Sequence, residues 1–259
     1  MSILGKIILR KKSEVRLLRE RYSLQDFEKM PLFSAPVRSL SEALLKSDSY
    51  GIIAEFKRRS PSKGVINETS EVAEVTAGYA AHGAAGLSVL TDKSFFGGMV
   101  TDLTTARENR IPVLRKDFII DEYQVLEAKS IGADAILLIA EALDNDEIKK
   151  LSSIAHSLGL EVLLELHSEE EIRKIDPSVN IIGINNRDLR SFQVDVNVSL
   201  KMSDLLPPGI VKISESGLSS TETLQMLKRA GYNGFLMGEL FMATPDPVKA
   251  FSSFIKKLE

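Results

Sequence analysis

Between residues 50 and 240 the chain alternates short apolar runs with longer stretches in which apolar positions recur every three or four residues. The short runs are Ile52–Phe56, Gly86–Leu90, Pro112–Arg115, Ala135–Ile139, Leu160–Leu164, Ile181–Ile184, Ile210–Ile213 and Gly234–Met237. They are largely continuous rather than alternating, as strands buried on both faces should be. Val72–His82, Glu122–Ile131, Asp146–Leu158, Glu169–Lys174 and Thr221–Ala230 read as helices between them, with Gly83, Gly132, Gly159 and Gly231 standing where C-caps belong. Eight strands separated by helices predict a parallel sheet covered by helices. Eight is also the number that closes a barrel, and 259 residues suit one. A doubly wound open sheet fits less well, since there is no Gly-x-Gly-x-x-Gly turn. The expected fold class is therefore α/β, a single (β/α)8 barrel.

About fifty residues precede the first strand. Ile3, Ile7, Ile8, Val15, Leu17 and Leu18 form an apolar stripe at near-helical spacing, with Lys and Arg on the remaining face. Ser39–Lys46 predicts a second, short helix opened by a Ser-x-x-Glu capping box at Ser39. The expectation is one domain over 1–259, with residues 1–49 as a helical extension and 50–259 as the barrel. No linker, low-complexity tract or fused partner is expected. The N-terminus lacks an uninterrupted apolar core and a small-residue cleavage site, so it reads as an amphipathic helix of a cytoplasmic protein.

Composition narrows the function. A net charge of −3 argues against a nucleic-acid partner, and no run approaches the 18 apolar residues of a membrane span. The chain has no cysteine, which excludes disulfides, thiolate metal sites and cysteine nucleophiles. His82, His156 and His167 are too scattered to suggest a metal cluster. Neither metal nor cofactor is expected.

The chemistry begins in Ile52–Gly64. Strand side chains alternate, so Ile53, Glu55 and Lys57 share one face while Ala54 and Phe56 share the other. A turn-forming basic run, Arg58-Arg59-Ser60-Pro61-Ser62-Lys63-Gly64, follows and suits an anion. In a parallel barrel the site lies at the C-terminal strand ends. Those ends carry Glu55 and Lys57, Thr91-Asp92, Lys116-Asp117, Glu165, Asn185-Asn186-Arg187, Glu215-Ser216-Gly217 and Gly238-Glu239. Any one of these charges is well explained as a solvated loop charge or a structural ion pair. Lysines and glutamates gathered at one end are better explained as acid–base groups, each sign shifting the pKa of the other. Ser216-Gly217 and Gly238-Glu239 follow strands seven and eight, where barrels often hold phosphate on backbone N–H groups, and Arg59 and Ser60 can complete such a site. Glycine as plain turn geometry is the competing explanation. A phosphorylated small molecule worked on by acids and bases is the resulting expectation.

Several segments, in order over essentially the whole chain, resemble indole-3-glycerol-phosphate synthase. They are IAEFKRRSPSK (Ile53–Lys63), Ser88–Asp92 with Phe96-Gly97-Gly98, PVLRKDFIID (Pro112–Asp121) with Tyr123-Gln124, GADAILLI (Gly132–Ile139), GINNRDL (Gly183–Leu189) and SESG (Ser214–Gly217). The resemblance implies a (β/α)8 barrel that converts 1-(2-carboxyphenylamino)-1-deoxyribulose 5-phosphate to indole-3-glycerol phosphate, carbon dioxide and water, without cofactor or metal. By the same resemblance Lys116 is the acid of ring closure, Glu165 the catalytic glutamate and Lys57 the second lysine. Glu55 would hold a lysine charged and in place, while Asn185 and Glu215 would position substrate hydroxyls and catalytic groups. Arg187 would take part in anthranilate recognition, Phe96 and Leu138 would wall the aromatic ring, and Ser216 would touch the substrate. Arg59, Ser60, Gly217, Gly238 and the N–H of Glu239 would cradle the phosphate.

Two positions depart from the family pattern. Glu239 stands where some members have serine, so its carboxylate is expected to turn away from the phosphate and leave only its N–H. Arg59 stands where a lysine might serve, with different geometry. A phosphoribosylanthranilate isomerase would need one acid–base pair and no long extension, and a non-catalytic phosphosugar-binding barrel would have no need of Lys116 and Glu165. The synthase reading, acting as a monomer, accounts for more of the chain.

Overall fold

All eight expected strands form, and their ends show what the apolar pattern can and cannot locate. The computed structural model describes residues 2–46 and 49–258. Met1, Ser47, Asp48 and Glu259, which the limits 1–49 and 1–259 include, lie outside the described residues. The strands are β1 (Ile52–Phe56), β2 (Gly86–Leu90), β3 (Val113–Lys116), β4 (Ala135–Ile139), β5 (Glu161–Leu166), β6 (Ile181–Asn185), β7 (Val211–Glu215) and β8 (Gly234–Met237). They close into one parallel barrel in which sequence neighbours pair and β8 returns to β1, with Ile53 opposite both Leu236 and Gly86. β3 starts after Pro112, which has no N–H to give the ladder. β5, β6 and β7 run on through Leu166, Asn185 and Glu215, because the ladder continues into polar residues where an apolar run stops.

Period-2 alternation divides the strand residues into two cores. Ile53, Leu114, Leu137, Leu163, Ile213 and Leu236 fill the barrel interior. Ala54, Phe56, Val89, Leu138, Leu164 and Phe235 face outward and pack against the helices. The helices are α1 (Ile3–Arg21), α2 (Leu24–Glu28), α3 (Leu40–Leu45), α4 (Val72–Ala81), α5 (Lys93–Phe96), α6 (Val100–Ala106), α7 (Glu122–Ser130), α8 (Asn145–Ser157), α9 (Asn197–Ser203), α10 (Thr221–Arg229), α11 (Glu239–Met242) and α12 (Pro247–Ile255). Glu169–Lys174 is a 3-10 segment rather than an α-helix. Gly83, Gly132, Gly159 and Gly231 all take the left-handed conformation expected of them after a helix. Among the described residues no helix is long and apolar enough to cross a membrane.

The extension seals the barrel at one end and reaches the site at the other. α3 pushes Leu40 and Leu44 into the interior core. Ser39 caps its start by accepting from the N–H of Glu42. The carboxylate of this cap comes from β5, where Glu161 accepts from the N–H groups of Leu40 and Ser41 at 2.8 Å each and from the hydroxyls of Ser39 and Ser41. α1 buries Leu4, Ile7, Lys11 and Val15, whereas Leu17 is 57% exposed. The buried stripe thus differs from the expected one, since it includes a lysine. Lys11 is 3% exposed and its charge is met by Asp92 and Asp117 at the ends of β2 and β3.

Candidate active site

The charged residues at the strand ends form a layer. Glu55, Lys116, Glu165 and Glu215 come from β1, β3, β5 and β7. Two residues before each, on the same inward face, stand Ile53, Leu114, Leu163 and Ile213. Barrel interiors are filled by layers of four side chains from alternate strands. Here one such layer is wholly apolar and the next is wholly ionisable.

The ion pairs within that layer are short. The Lys116 Nζ donates to Glu165 Oε2 at 2.9 Å and to Glu215 Oε2 at 3.1 Å, with the lysine side chain 13% exposed. Lys57, two residues beyond Glu55 on the same face, donates to Glu55 Oε1 at 2.6 Å. Ser88 donates to the other Glu55 oxygen at 3.4 Å. Asn185, which helps hold Glu165 ionised, accepts from the N–H of Arg187 at 3.0 Å and so ties the ionisable layer to the loop after β6. His167 Nε2 lies 3.3 Å from Glu165 Oε1.

Two ammoniums face three carboxylates, and burial makes the surplus negative charge costly. Burial, reinforced by the nearby charge of Glu165, pushes the Glu215 carboxyl up to about 8 against the pull of Lys116. Burial opposes ionisation of Glu165 too, but Lys116, His167 and Asn185 outweigh it and hold that carboxyl down to about 2. Lys116 is likewise raised, because Glu165, Glu215 and Glu55 together overcome its desolvation. Of the three carboxyls, Glu215 is thus the one most disposed to hold a proton.

Above the layer opens a cavity of about 720 Å³ with two unlike sides. On the side of β2, β3 and β4 it is walled by Phe96, Phe118, Leu137 and Ile139, with the Phe96 and Phe118 rings 5.9 Å apart. Ile3, Leu4 and Ile7 of α1 close this side from above. On the side of β7, β8 and β1 the walls are Ser60, Ser62, Lys63, Ser216, Gly217, Gly238 and Glu239. Ser216 and Gly217 are consecutive left-handed residues, with φ of 66° and 73°. Asn186 holds this turn by donating to Ser216 O at 3.0 Å and to Ser214 Oγ at 2.9 Å. Gly238 has a steric reason: a Cβ there would fall 2.7 Å from the Cβ of Glu55.

Most expected site residues converge here. Glu55, Lys57, Ser60, Phe96, Lys116, Glu165, Asn185, Arg187, Glu215, Ser216, Gly217, Gly238 and Glu239 all line the cavity. Leu138 does not. Its side chain points outward into the helix-facing core, fully buried, because β4 turns Ala135, Leu137 and Ile139 inward and Ile136 and Leu138 outward. Arg59 is also elsewhere. Arg59–Ser60 pairs with Gly64–Val65 in a short antiparallel hairpin, so adjacent residues leave on opposite faces. Ser60 faces the cavity, while the Arg59 guanidinium donates to the carbonyls of Lys93 and Ser94 at 2.8 and 3.0 Å. Lys63 is the basic residue that this loop presents to the cavity. The Glu239 carboxylate does not turn away. It lies 3.2 Å from Arg187 Nη2 and 3.3 Å from Lys63 Nζ, bridging two loops, while Arg187 also reaches Ser62.

Sequence reasoning left out Ser62, Lys63, Phe118, Leu137, Ile139, Leu189, Phe192 and the start of α1. Strand parity was available to place Leu137 and Ile139, and the Ser60-Pro61-Ser62-Lys63 turn contains its own basic residue. Nothing in a single sequence signals that α1 folds over the site.

The comparisons agree with the geometry. Residues 4–254 match the family model described as indole-3-glycerol phosphate synthase. A relative from Bacteroides thetaiotaomicron named indole-3-glycerol phosphate synthase is 48% identical over 258 residues, 99% of each chain. One of the same name from Carboxydothermus hydrogenoformans is 43% identical over 256 residues, 95% of this chain and 97% of the other. Among solved structures, thiamine phosphate pyrophosphorylase from Pyrococcus furiosus superposes with a TM-score of 0.60 at 16% identity, covering 85% of this chain and 99% of that one. The tryptophan synthase complex of the same organism superposes with a TM-score of 0.59 at 13% identity, covering 81% of this chain and 97% of the solved one. Both likenesses concern the fold alone. By family model, by relatives over its full length and by a barrel of the right kind, the chain belongs to the indole-3-glycerol phosphate synthase family, the decarboxylating lyases that form indole-3-glycerol phosphate in tryptophan biosynthesis.

Proposed function

We propose that the two lysine–glutamate pairs deliver the two protons that the synthase reaction requires, with Lys116 acting first and Lys57 second. The supporting observation is the position of Lys116, a charged, nearly buried ammonium held by two carboxylates at the floor of the cavity. Ring closure joins the carboxyl-bearing arene carbon to the substrate carbonyl carbon, and the carbonyl oxygen takes a proton from Lys116. The carbon–carboxylate bond then breaks, carbon dioxide leaves, and its electron pair restores the arene. The new hydroxyl must depart as water, which needs a second proton, assigned here to Lys57. A base removes one proton from the methylene carbon beside the nitrogen as the pyrrole double bond forms. Glu165, the ionised carboxylate nearest Lys116, is assigned this role. Two protons enter and one leaves, so the net cost is one proton per turnover.

The remaining residues orient the substrate. The aryl ring lies between Phe96 and Phe118 over Leu137 and Ile139, and the phosphate lies among Ser60, Lys63, Ser216, Gly217, Gly238 and the N–H of Glu239. Backbone N–H groups at a helix start and a lysine suit a phosphate dianion. Arg187 takes the substrate carboxylate once it is released from Glu239, and Glu55 holds Lys57 in place through their 2.6 Å hydrogen bond. Every group named comes from one chain, so a monomer suffices.

The test is to mix the protein with 1-(2-carboxyphenylamino)-1-deoxyribulose 5-phosphate in a metal-chelating buffer and follow indole fluorescence. The chain has no tryptophan, so the product signal rises from a low background. Turnover that persists in Lys116→Met would move the first acid elsewhere.

A further inference from the structure

We propose that Lys11, on the N-terminal helix, is a positioning residue that sets the spacing of the two aromatic walls of the cavity. This rests on the reading of the apolar side as the aryl subsite. Lys11 stands among the buried apolar residues of α1 and is almost wholly buried itself. Its Nζ lies 2.9 Å from Asp92, 2.8 Å from Asp117 and 3.0 Å from Glu14 on its own helix. The first two carboxylates each hold one aromatic wall by its backbone. Asp92 accepts from the N–H groups of Phe95 and Phe96 at 2.6 and 3.1 Å, so it fixes the start of α5. Asp117 accepts from the N–H of Phe118 at 2.8 Å and from Thr91 and Arg115, and it is covalently next to Lys116.

One ammonium is thus the common counter-ion of the Phe96 anchor and the Phe118 anchor. The same helix places Ile3, Leu4 and Ile7 over the cavity one to two turns away. A buried lysine could serve stability alone, and in that case any charge-balanced replacement would do. The geometry points to more, since the two carboxylates that Lys11 joins come from different strand ends and each accepts from the backbone of one aromatic wall. What Lys11 adds is a link between the loop after β2, the end of β3 and the helix above them. With the link cut, the ring spacing loosens on the aryl side only, and the phosphate side across the barrel keeps its walls.

The experiment compares Lys11→Met with the charge-balanced double variant Lys11→Met/Asp92→Asn, in which the asparagine oxygen still accepts from Phe95 and Phe96. Wild type and Phe96→Ala serve as references. Melting temperature, kcat, KM and the inhibition constant of inorganic phosphate are measured for each. The expected result is a KM raised about tenfold or more in both Lys11 variants, with phosphate inhibition within twofold of wild type and the melting temperature recovered in the double variant. A KM and kcat within twofold of wild type in the folded double variant would overturn the proposal, as would an equal loss of phosphate affinity. If Phe96→Ala leaves KM unchanged, the aryl-subsite reading itself falls. If Phe96→Ala raises KM and the Lys11 variants do not, only the role of Lys11 falls.

Discussion

Lys116 and Glu165 stand 2.9 Å apart on strands that are not neighbours in the barrel, and Glu215 reaches the same ammonium from a third strand. The Lys116 ammonium is therefore held by the closure of the barrel itself, not by any local motif. Lys116→Met is expected to bind substrate within a few-fold of wild type while turnover drops by about 10²–10⁴-fold, the usual loss for a general acid. It also leaves the buried Glu165 carboxylate without its cation, so its melting temperature should recover as the pH is lowered. Substrate titration with single-turnover kinetics, and melting curves at two pH values, check both.

Glu215, pushed up to about 8 by burial and by Glu165, predicts an alkaline limb. The substrate brings a carboxylate and a phosphate to a cavity whose floor gains a negative charge when Glu215 ionises. Accordingly kcat/KM should fall above about pH 8, and the limb should vanish in Glu215→Gln. Stability follows the same sign. A carboxyl raised in the folded state holds its proton more tightly there than when unfolded, so its contribution is complete below the ordinary value of 4.5 and is lost as pH rises through about 8. The slope is at most about 1.4 kcal/mol per pH unit. Melting curves between pH 6 and 9 should show it in the wild type and not in Glu215→Gln.

If Lys57 supplies the second proton, its loss should separate the two halves of the reaction. Lys57→Met is expected to release carbon dioxide in a first turnover faster than indole fluorescence appears. Equal rates for the two signals would assign the dehydration proton to another group.

Glu239 predicts an improvement on substitution. Its carboxylate engages Arg187 and Lys63, two cations that the substrate's own anions need. The pairs are partly exposed, and such pairs contribute up to about 1 kcal/mol, so Glu239→Ser should lower KM by up to about fivefold with little change in kcat. Steady-state kinetics at fixed ionic strength would show this, and an unchanged or raised KM would mean that the bridge does not compete with substrate.

Leu138 offers a control from the outer core. Being fully buried against the helices, Leu138→Ala should cost about 2–5 kcal/mol of stability and leave kcat/KM unchanged below the melting transition. Chemical denaturation and kinetics at one temperature separate the two effects.

The pattern of short apolar runs was enough for eight strands and barrel closure, because a parallel strand buried on both faces looks like little else. It was also enough for Glu55, Glu165 and Glu215, whose parity with an apolar neighbour marks them as inward. The same parity argument, applied to β4, would have chosen Leu137 and Ile139 over Leu138. Arg59 was misplaced for a related reason: a turn-rich basic run hides a hairpin in which neighbouring residues point apart. Lys11 was beyond reach. A lysine inside an apolar stripe reads as the edge of a solvated face, and the two aspartates that neutralise it lie about 80 and 105 residues away in the chain.

The odd-numbered strands carry the ionisable layer, and small residues on the even-numbered strands make room for its glutamates. A Cβ at Gly183 of β6 would fall 2.3 Å from Glu215 Oε1, and Gly238 after β8 meets Glu55 in the same way, while β2 offers Ser88. At the cavity β4 presents Leu137 and Ile139, as β2 and β8 present Leu90 and Leu236. The ionisable layer and the apolar strand residues of the cavity thus come from alternating strands. A substrate with a bulkier or smaller ring would be accommodated by changes at these apolar positions without altering an ionisable group, whereas a side chain of any size at Gly183 or Gly238 would strike Glu215 or Glu55. Room for new substrates therefore opens through the even-numbered strands' leucines and isoleucine and is closed at their glycines.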